Sequence, residues 1–152
     1  MSVAVLWERL LATRAPAATL LIRLMVGGVF VSEGLQKFLV PAEVGAGRFA
    51  RIGLPAPEVL GPFVGVVELL CGALVLLGLV TRLAAVPLII TMLVAMATTK
   101  VPILLASGFW KMAHESRTDF SMLLGACFLL WVGAGPRSMD TWLSRRRGDA
   151  HV

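Results

Sequence analysis

An apolar run long enough to cross a bilayer seldom carries three formal charges, yet residues 23–38, R-L-M-V-G-G-V-F-V-S-E-G-L-Q-K-F, do so. A helix advances about 100° per residue, so Arg23, Phe30 and Lys37, a heptad apart, fall almost on one line. Glu33 lies one turn before Lys37 on the same side. A charge at mid-membrane costs roughly 2.5–3.5 kcal/mol on insertion scales, so this face must turn toward protein or a wet cavity and find partners there. The rest of the chain has to supply them.

That the surroundings are a membrane follows from composition. Of 152 residues 58% are hydrophobic and only 15% are charged, against about 25% charged in a soluble domain. The length suits one domain, residues 1–152, with a few spans. The formal charge of +5 does not mark a nucleic-acid binder, because the basic residues stand at span ends and in the tail, where they set topology and attract anionic lipid. Residues 1–14 lack the apolar stretch of a cleavable signal, so the first span is expected to be retained.

Taken in order, Val3, Leu6, Trp7, Leu10 and Leu11 recur at helical spacing opposite Glu8 and Arg9 and predict a short helix lying in the interface. Four spans follow, over about residues 17–40, 60–80, 83–99 and 119–134, and predict an all-α antiparallel transmembrane bundle. Between the first two, residues 41–57 are rich in Gly, Pro and charge and read as a loop with a short helix around Phe49. Thr81 and Arg82 form a tight turn, which makes spans 2 and 3 antiparallel neighbours. Residues 101–112 are too short to cross and read as interfacial or re-entrant, and residues 114–118 as a polar loop. Gly135-Pro136 stops span 4, and Ser138 can cap a last interfacial helix through Trp142. The arginine run at 145–147 puts both termini of this multi-pass protein in the cytoplasm.

With that topology Glu33 and Glu68 sit about two turns below the outer end of their spans, at similar depth, and Lys37 can bridge them. Arg23 lies in the inner half, where backbone carbonyls, hydroxyls such as Thr91, or the interface could receive it. One reading of Glu33, Lys37 and Glu68 is a structural network that fixes helix register. The other is a polar pocket between spans 1 and 2 that binds a quinone head group or another small polar molecule, with Lys37 as donor and Glu33 or Glu68 as proton acceptor. The candidate ligand-binding residues are therefore Arg23, Glu33, Lys37 and Glu68. Glycines 27, 28, 34, 61, 65 and 72 suit close helix packing. Cys71 and Cys127 have no partner at C-x-x-C spacing and read as packing residues, with a disulfide between them the alternative. His114, Glu115 and Asp119 make a polar cluster at the outer mouth but a weak metal set, so no metal site is assigned. No zinc-type, P-loop, dinucleotide or nucleophile-elbow pattern supplies catalytic residues.

The chain resembles the DoxX family of small bacterial membrane proteins. The marks are Arg23 with G-G-V-F and E-G-L-Q-K-F in span 1, G-L-P at 53–55, G-V-V-E-L-L-C-G-A-L-V-L-L-G-L-V-T-R at 65–82, and G-P-R-S-M-D at 135–140. They cover most of residues 20–143 in order. The family takes its name from a subunit of an archaeal thiosulfate:quinone oxidoreductase, so the resemblance implies a four-helix membrane bundle tied to redox or sulfur metabolism, with protein partners in a redox complex. It carries over no catalytic residues. The expected function is a membrane subunit of a quinone-linked redox system in the bacterial inner (plasma) membrane, assembled with other proteins or with further copies of itself. The alternatives are a non-catalytic scaffold or assembly partner, and a carrier for a small solute. A scaffold needs the charged face satisfied and dry, a quinone site needs an apolar slot to lipid, and a carrier needs a second, inward opening.

Overall fold

The computed structural model describes residue 13 and residues 15–149. The interfacial helix expected around residues 3–11 lies outside the described residues. Helix α1 is Thr19–Leu39, α2 Ala46–Arg51 and α3 Pro57–Leu77. Helix α4, Thr81–Ala95, passes through a π-helical turn, Met96–Lys100, into α5, Val101–Ser107. Helix α6 is Phe109–Val132 and α7 Met139–Asp149. Among the described residues there is no strand.

The long segments run up and down around a shared core of Val26 and Phe30 from α1, Val75 from α3, Leu88 from α4, and Ala126 and Leu129 from α6, all buried. At one end, the start of α1 meets the turn between α3 and α4 and the segment 134–140, so the two ends of the described chain come together. At the other end, α2 folds over the bundle. A Cβ at Gly61 of α3 would lie 2.7 Å from the Ala46 amide nitrogen. Arg51 holds this connection closed by donating to the carbonyls of Ala42 and Glu43.

Among the described residues three helical segments are long and apolar enough to cross a membrane: Thr19–Leu39, Pro57–Leu77 and Thr81–Ser107. The third corrects the expected span of 83–99, because the helix continues past Lys100 instead of leaving the bundle there. Pro102 has no amide hydrogen and would break a regular α-helix. The π turn just before it absorbs the mismatch, with the Thr98 and Thr99 hydroxyls bonding back to carbonyls of the preceding turn. The break comes instead at Gly108, whose φ of +82° only glycine adopts readily. The polar loop expected over residues 114–118 is likewise helical, being part of α6. Charge there does not mark a loop, because Glu and Arg are good helix formers. At the far end Ser138 caps α7 as expected, its Oγ accepting from the Thr141 amide at 3.2 Å.

Helices α1 and α3 touch backbone to backbone. A Cβ at Gly34 would lie 2.7 Å from the Gly65 carbonyl oxygen, and one at Gly72 would lie 2.9 Å from the Val31 amide nitrogen. Gly27 meets the Gly72 carbonyl in the same way, at 2.8 Å. Two glycines a heptad apart on each helix thus form one seam. Gly28 faces open space and takes no part. Gly34→Ala should therefore force the helices apart and lower stability by about 1–3 kcal/mol. Gly28→Ala should be neutral or raise stability by up to about 1 kcal/mol. Thermal unfolding in detergent checks both, and equal effects would mean that the seam does not govern packing.

Candidate functional site

The seam fixes where the buried charges go. Three residues after Gly34 comes Lys37, and three after Gly65 comes Glu68. A Cβ at Gly65 would lie 3.2 Å from Lys37 Cβ, and one at Gly34 would lie 3.2 Å from Glu68 Cβ. Each charged stem thus lies across the glycine of the opposite helix, and the heads meet. Lys37 Nζ donates to Glu68 Oε2 at 2.5 Å, with the side chains only 8% and 3% exposed. In a low-dielectric interior neither charge is tolerable alone, and the close pair offsets the cost of desolvating both.

This pair forms part of the wall of a cavity of about 560 Å³ beneath α2. Glu33 lines the same cavity, half-buried, and among the described residues makes no side-chain hydrogen bond or ion pair. Phe30 and Met122 close the space toward the core, and Phe49 of α2 covers it. A second pair lies higher, where Lys100 Nζ reaches Asp119 Oδ2 and the Glu115 carbonyl, both at 2.9 Å. It ties the π turn to α6 at the rim. The cavity is therefore apolar over much of its wall, with a buried ion pair and a free carboxylate projecting into it. Such a wall can fix the orientation of a ligand and exchange protons with it.

Three of the four candidate residues, Glu33, Lys37 and Glu68, come together in this cavity. Arg23 does not: it shares their helix line, but two heptads separate it from Lys37, about 21 Å along the axis. Its guanidinium donates from Nε to the Val75 carbonyl at 2.9 Å, from Nη2 to Leu76 at 2.5 Å, and from Nη1 to Arg137 at 2.7 Å and Ala134 at 3.4 Å. Of the receivers open in the sequence, backbone carbonyls are the ones used. Those of Val75 and Leu76 lie in the last turn of α3, where the helix dipole favours a cation, and those of Ala134 and Arg137 in the segment before α7.

Asp140 completes this end, and the sequence did not single it out. Its carboxylate accepts from the amides of Val80, at 2.6 Å, and Thr81, at 3.1 Å, which are the first donors of α4. Burial pushes the Asp140 carboxyl upward, more than these amides and the Arg23 guanidinium draw it back. Val80 holds a left-handed backbone, φ +43°, that a β-branched residue rarely takes, and Asp140 pins it there. One signal was present: α4 opens without any capping side chain of its own, so an acceptor had to arrive from elsewhere.

The remaining candidates fall outside the cavity's chemistry. Cys71 and Cys127 are both free thiols, which removes the disulfide alternative. His114 lies against Arg117 of the same helix, and Asp119 is taken by Lys100. Among the described residues no group of three or more His, Cys, Asp or Glu is arranged to hold a metal ion.

Comparison with known proteins relates the chain to membrane proteins. The chain is 53% identical over 146 residues to "Uncharacterized membrane protein Rv3486" of Mycobacterium tuberculosis, covering 92% of this chain and 90% of that one. It is 29% identical over 134 residues to "Putative oxidoreductase CatD" of Bacillus subtilis, covering 88% and 92%. No solved structure matches. The DoxX family model matches residues 18–101, a stretch that contains the glycine seam, the Lys37–Glu68 pair and Arg23, and the chain belongs to the DoxX family.

Proposed function

We propose that this chain is a membrane subunit of a redox system, and that the cavity beneath α2, walled by α1, α3, α4 and α6, binds the head group of a quinone or a similar small molecule. The observation that carries this reading is that the buried Lys37–Glu68 pair borders about 560 Å³ of open volume instead of being enclosed by packed side chains. That volume is within the usual range of small-molecule sites, about 300–1,000 Å³. The Lys37 ammonium is suited to donate to a carbonyl oxygen of the head group. Glu33, with no partner of its own, and Glu68 are suited to accept the protons that oxidation of a quinol releases, while the electrons pass to a redox partner.

Contrast within the molecule supports this over a scaffold. Where charge serves only to join helices, as at Arg23 and Asp140, it is saturated by backbone groups and closed in. The cavity end is built otherwise. A carrier would need a second opening toward the Arg23 end, where Val26, Val75, Leu88 and Leu129 are packed with no exposure. The name of the Bacillus subtilis relative also favours a redox setting.

In the bilayer, α6 is the fourth crossing. Its first half carries Lys111, Glu115, Arg117 and Asp119 and stands at the aqueous rim. Arg82, Arg137, Arg145 and Arg146 belong to the opposite end, which faces the cytoplasm with both termini in a bacterial inner membrane. In a background with both cysteines replaced by Ala, Ser144→Cys in intact cells should resist an impermeant maleimide, and ready labelling would invert the orientation.

The site itself is tested with decyl-benzoquinone and purified protein in nanodiscs. Wild type should bind it, and Lys37→Met or Glu68→Gln should weaken binding at least about tenfold. Each single variant should also lose about 3–5 kcal/mol of stability by leaving a buried charge unpaired, whereas the double variant should lose much less than the sum. Additive losses would mean that the pair is not coupled. Binding indifferent to both substitutions would place the ligand elsewhere.

A further inference from the structure

The cavity has two rims of different character. One is polar, formed by exposed Arg48, Glu115 and Thr118 with the Lys100–Asp119 pair beside them. The other is apolar. Phe63 of α3 and Ile90 and Val94 of α4 line the cavity and are 60%, 56% and 49% exposed, far more than the buried lining residues Phe30, Lys37 and Glu68, so they stand at its edge, between the two helices. The tight turn from Gly78 to Val80 joins these helices at their other end. Counting from it, Phe63 and Val94 stand at about the same height, some 20 Å up at about 1.5 Å per residue. Glu68 and Thr91 stand about one turn lower. Helix α3 is roughly 31 Å long, so this height falls within the acyl-chain region and below the headgroups.

Resting on the reading of the cavity as a ligand site, we propose that its ligand enters sideways from the bilayer between α3 and α4. The ligand is an amphiphile with an oxygen-bearing ring as head and a long apolar chain, the chemistry of a membrane quinone. The head reaches the Lys37–Glu68 pair, and the chain stays in the window beside Phe63, Ile90 and Val94. A freely water-soluble solute has no route through an opening bounded by acyl chains, whereas a chain-bearing ligand loses no apolar contact on moving from lipid into it. The polar rim then serves water and protons, and Glu33 lines the same cavity.

Two probes separate the window from the head-group site: 2,3-dimethoxy-5-methyl-benzoquinone, which has no tail, and its decyl derivative carrying a terminal diazirine. Photolysis in nanodiscs should label Phe63, Ile90 or Val94, and excess tail-less quinone should suppress the label. Labels on Arg48, Glu115 or Thr118 would overturn the sideways route. Phe63→Trp with Val94→Trp, both at surface positions, should weaken the decyl compound about tenfold and leave the tail-less one within about twofold. If the tail-less compound binds and the Trp pair leaves the decyl compound unaffected, the window is wrong and the head-group site stands. If wild type binds neither probe, the head-group site fails and the window fails with it. Labelling of the same three residues only by a diazirine phospholipid would make the window a lipid groove and overturn the proposal.

Discussion

The approach of α1 to α3 at a distance that only glycine allows is the constraint on which the rest depends. Without side chains at Gly27, Gly34, Gly65 and Gly72 the two backbones come into contact, and dispersion between them replaces the hydrophobic drive that lipid cannot supply. The same contact sets the register. Because Lys37 and Glu68 each follow a seam glycine by three residues, the register that closes the seam also brings their stems across it. A shift by one residue would lose the packing and strand both charges in a low-dielectric interior, so steric and electrostatic terms select the same arrangement.

The two ends of the bundle treat charge in opposite ways. At one, Arg23 and Asp140 each face a helix terminus of opposite polarity: the cation meets the last carbonyls of α3, and the anion the first amides of α4. Backbone groups that would otherwise be orphaned take up the side-chain charge, and little is left for a ligand. At the other end, among the described residues, Lys37 and Glu68 pair only with each other, Glu33 has no side-chain partner, and the space beside them is open. A polar group inside an apolar wall is costly for stability, and the proposed ligand site rests on that contrast.

The π turn joins these features to the rim. By letting the helix continue past Pro102, it carries Lys100 to Asp119 and the Glu115 carbonyl, and so fastens the third long segment to α6 above the cavity. Its cost in regular hydrogen bonding is partly met by the Thr98 and Thr99 hydroxyls.

The amino-acid order alone determined the membrane setting, the helical class and the first two spans, and it put Lys37 within reach of both Glu33 and Glu68; that the ammonium pairs with Glu68 was decided by the register of the seam. Apolar length and the expense of intramembrane charge are local properties, and charges at matched depth on neighbouring spans have few other partners. It also marked the glycines of the seam, but not that Gly28 lies off it, since that depends on which direction α1 turns toward α3. The course of residues 96–118 was decided by tertiary structure: an apolar stretch cut by Pro102 and followed by charges fits a loop until Asp119 is there to receive Lys100. So was the partnership of Arg23 and Asp140. Their partners are backbone atoms at helix ends, which every residue possesses and no sequence pattern distinguishes, and only the folded chain brings the end of α3, the start of α4 and residues 134–140 to one place.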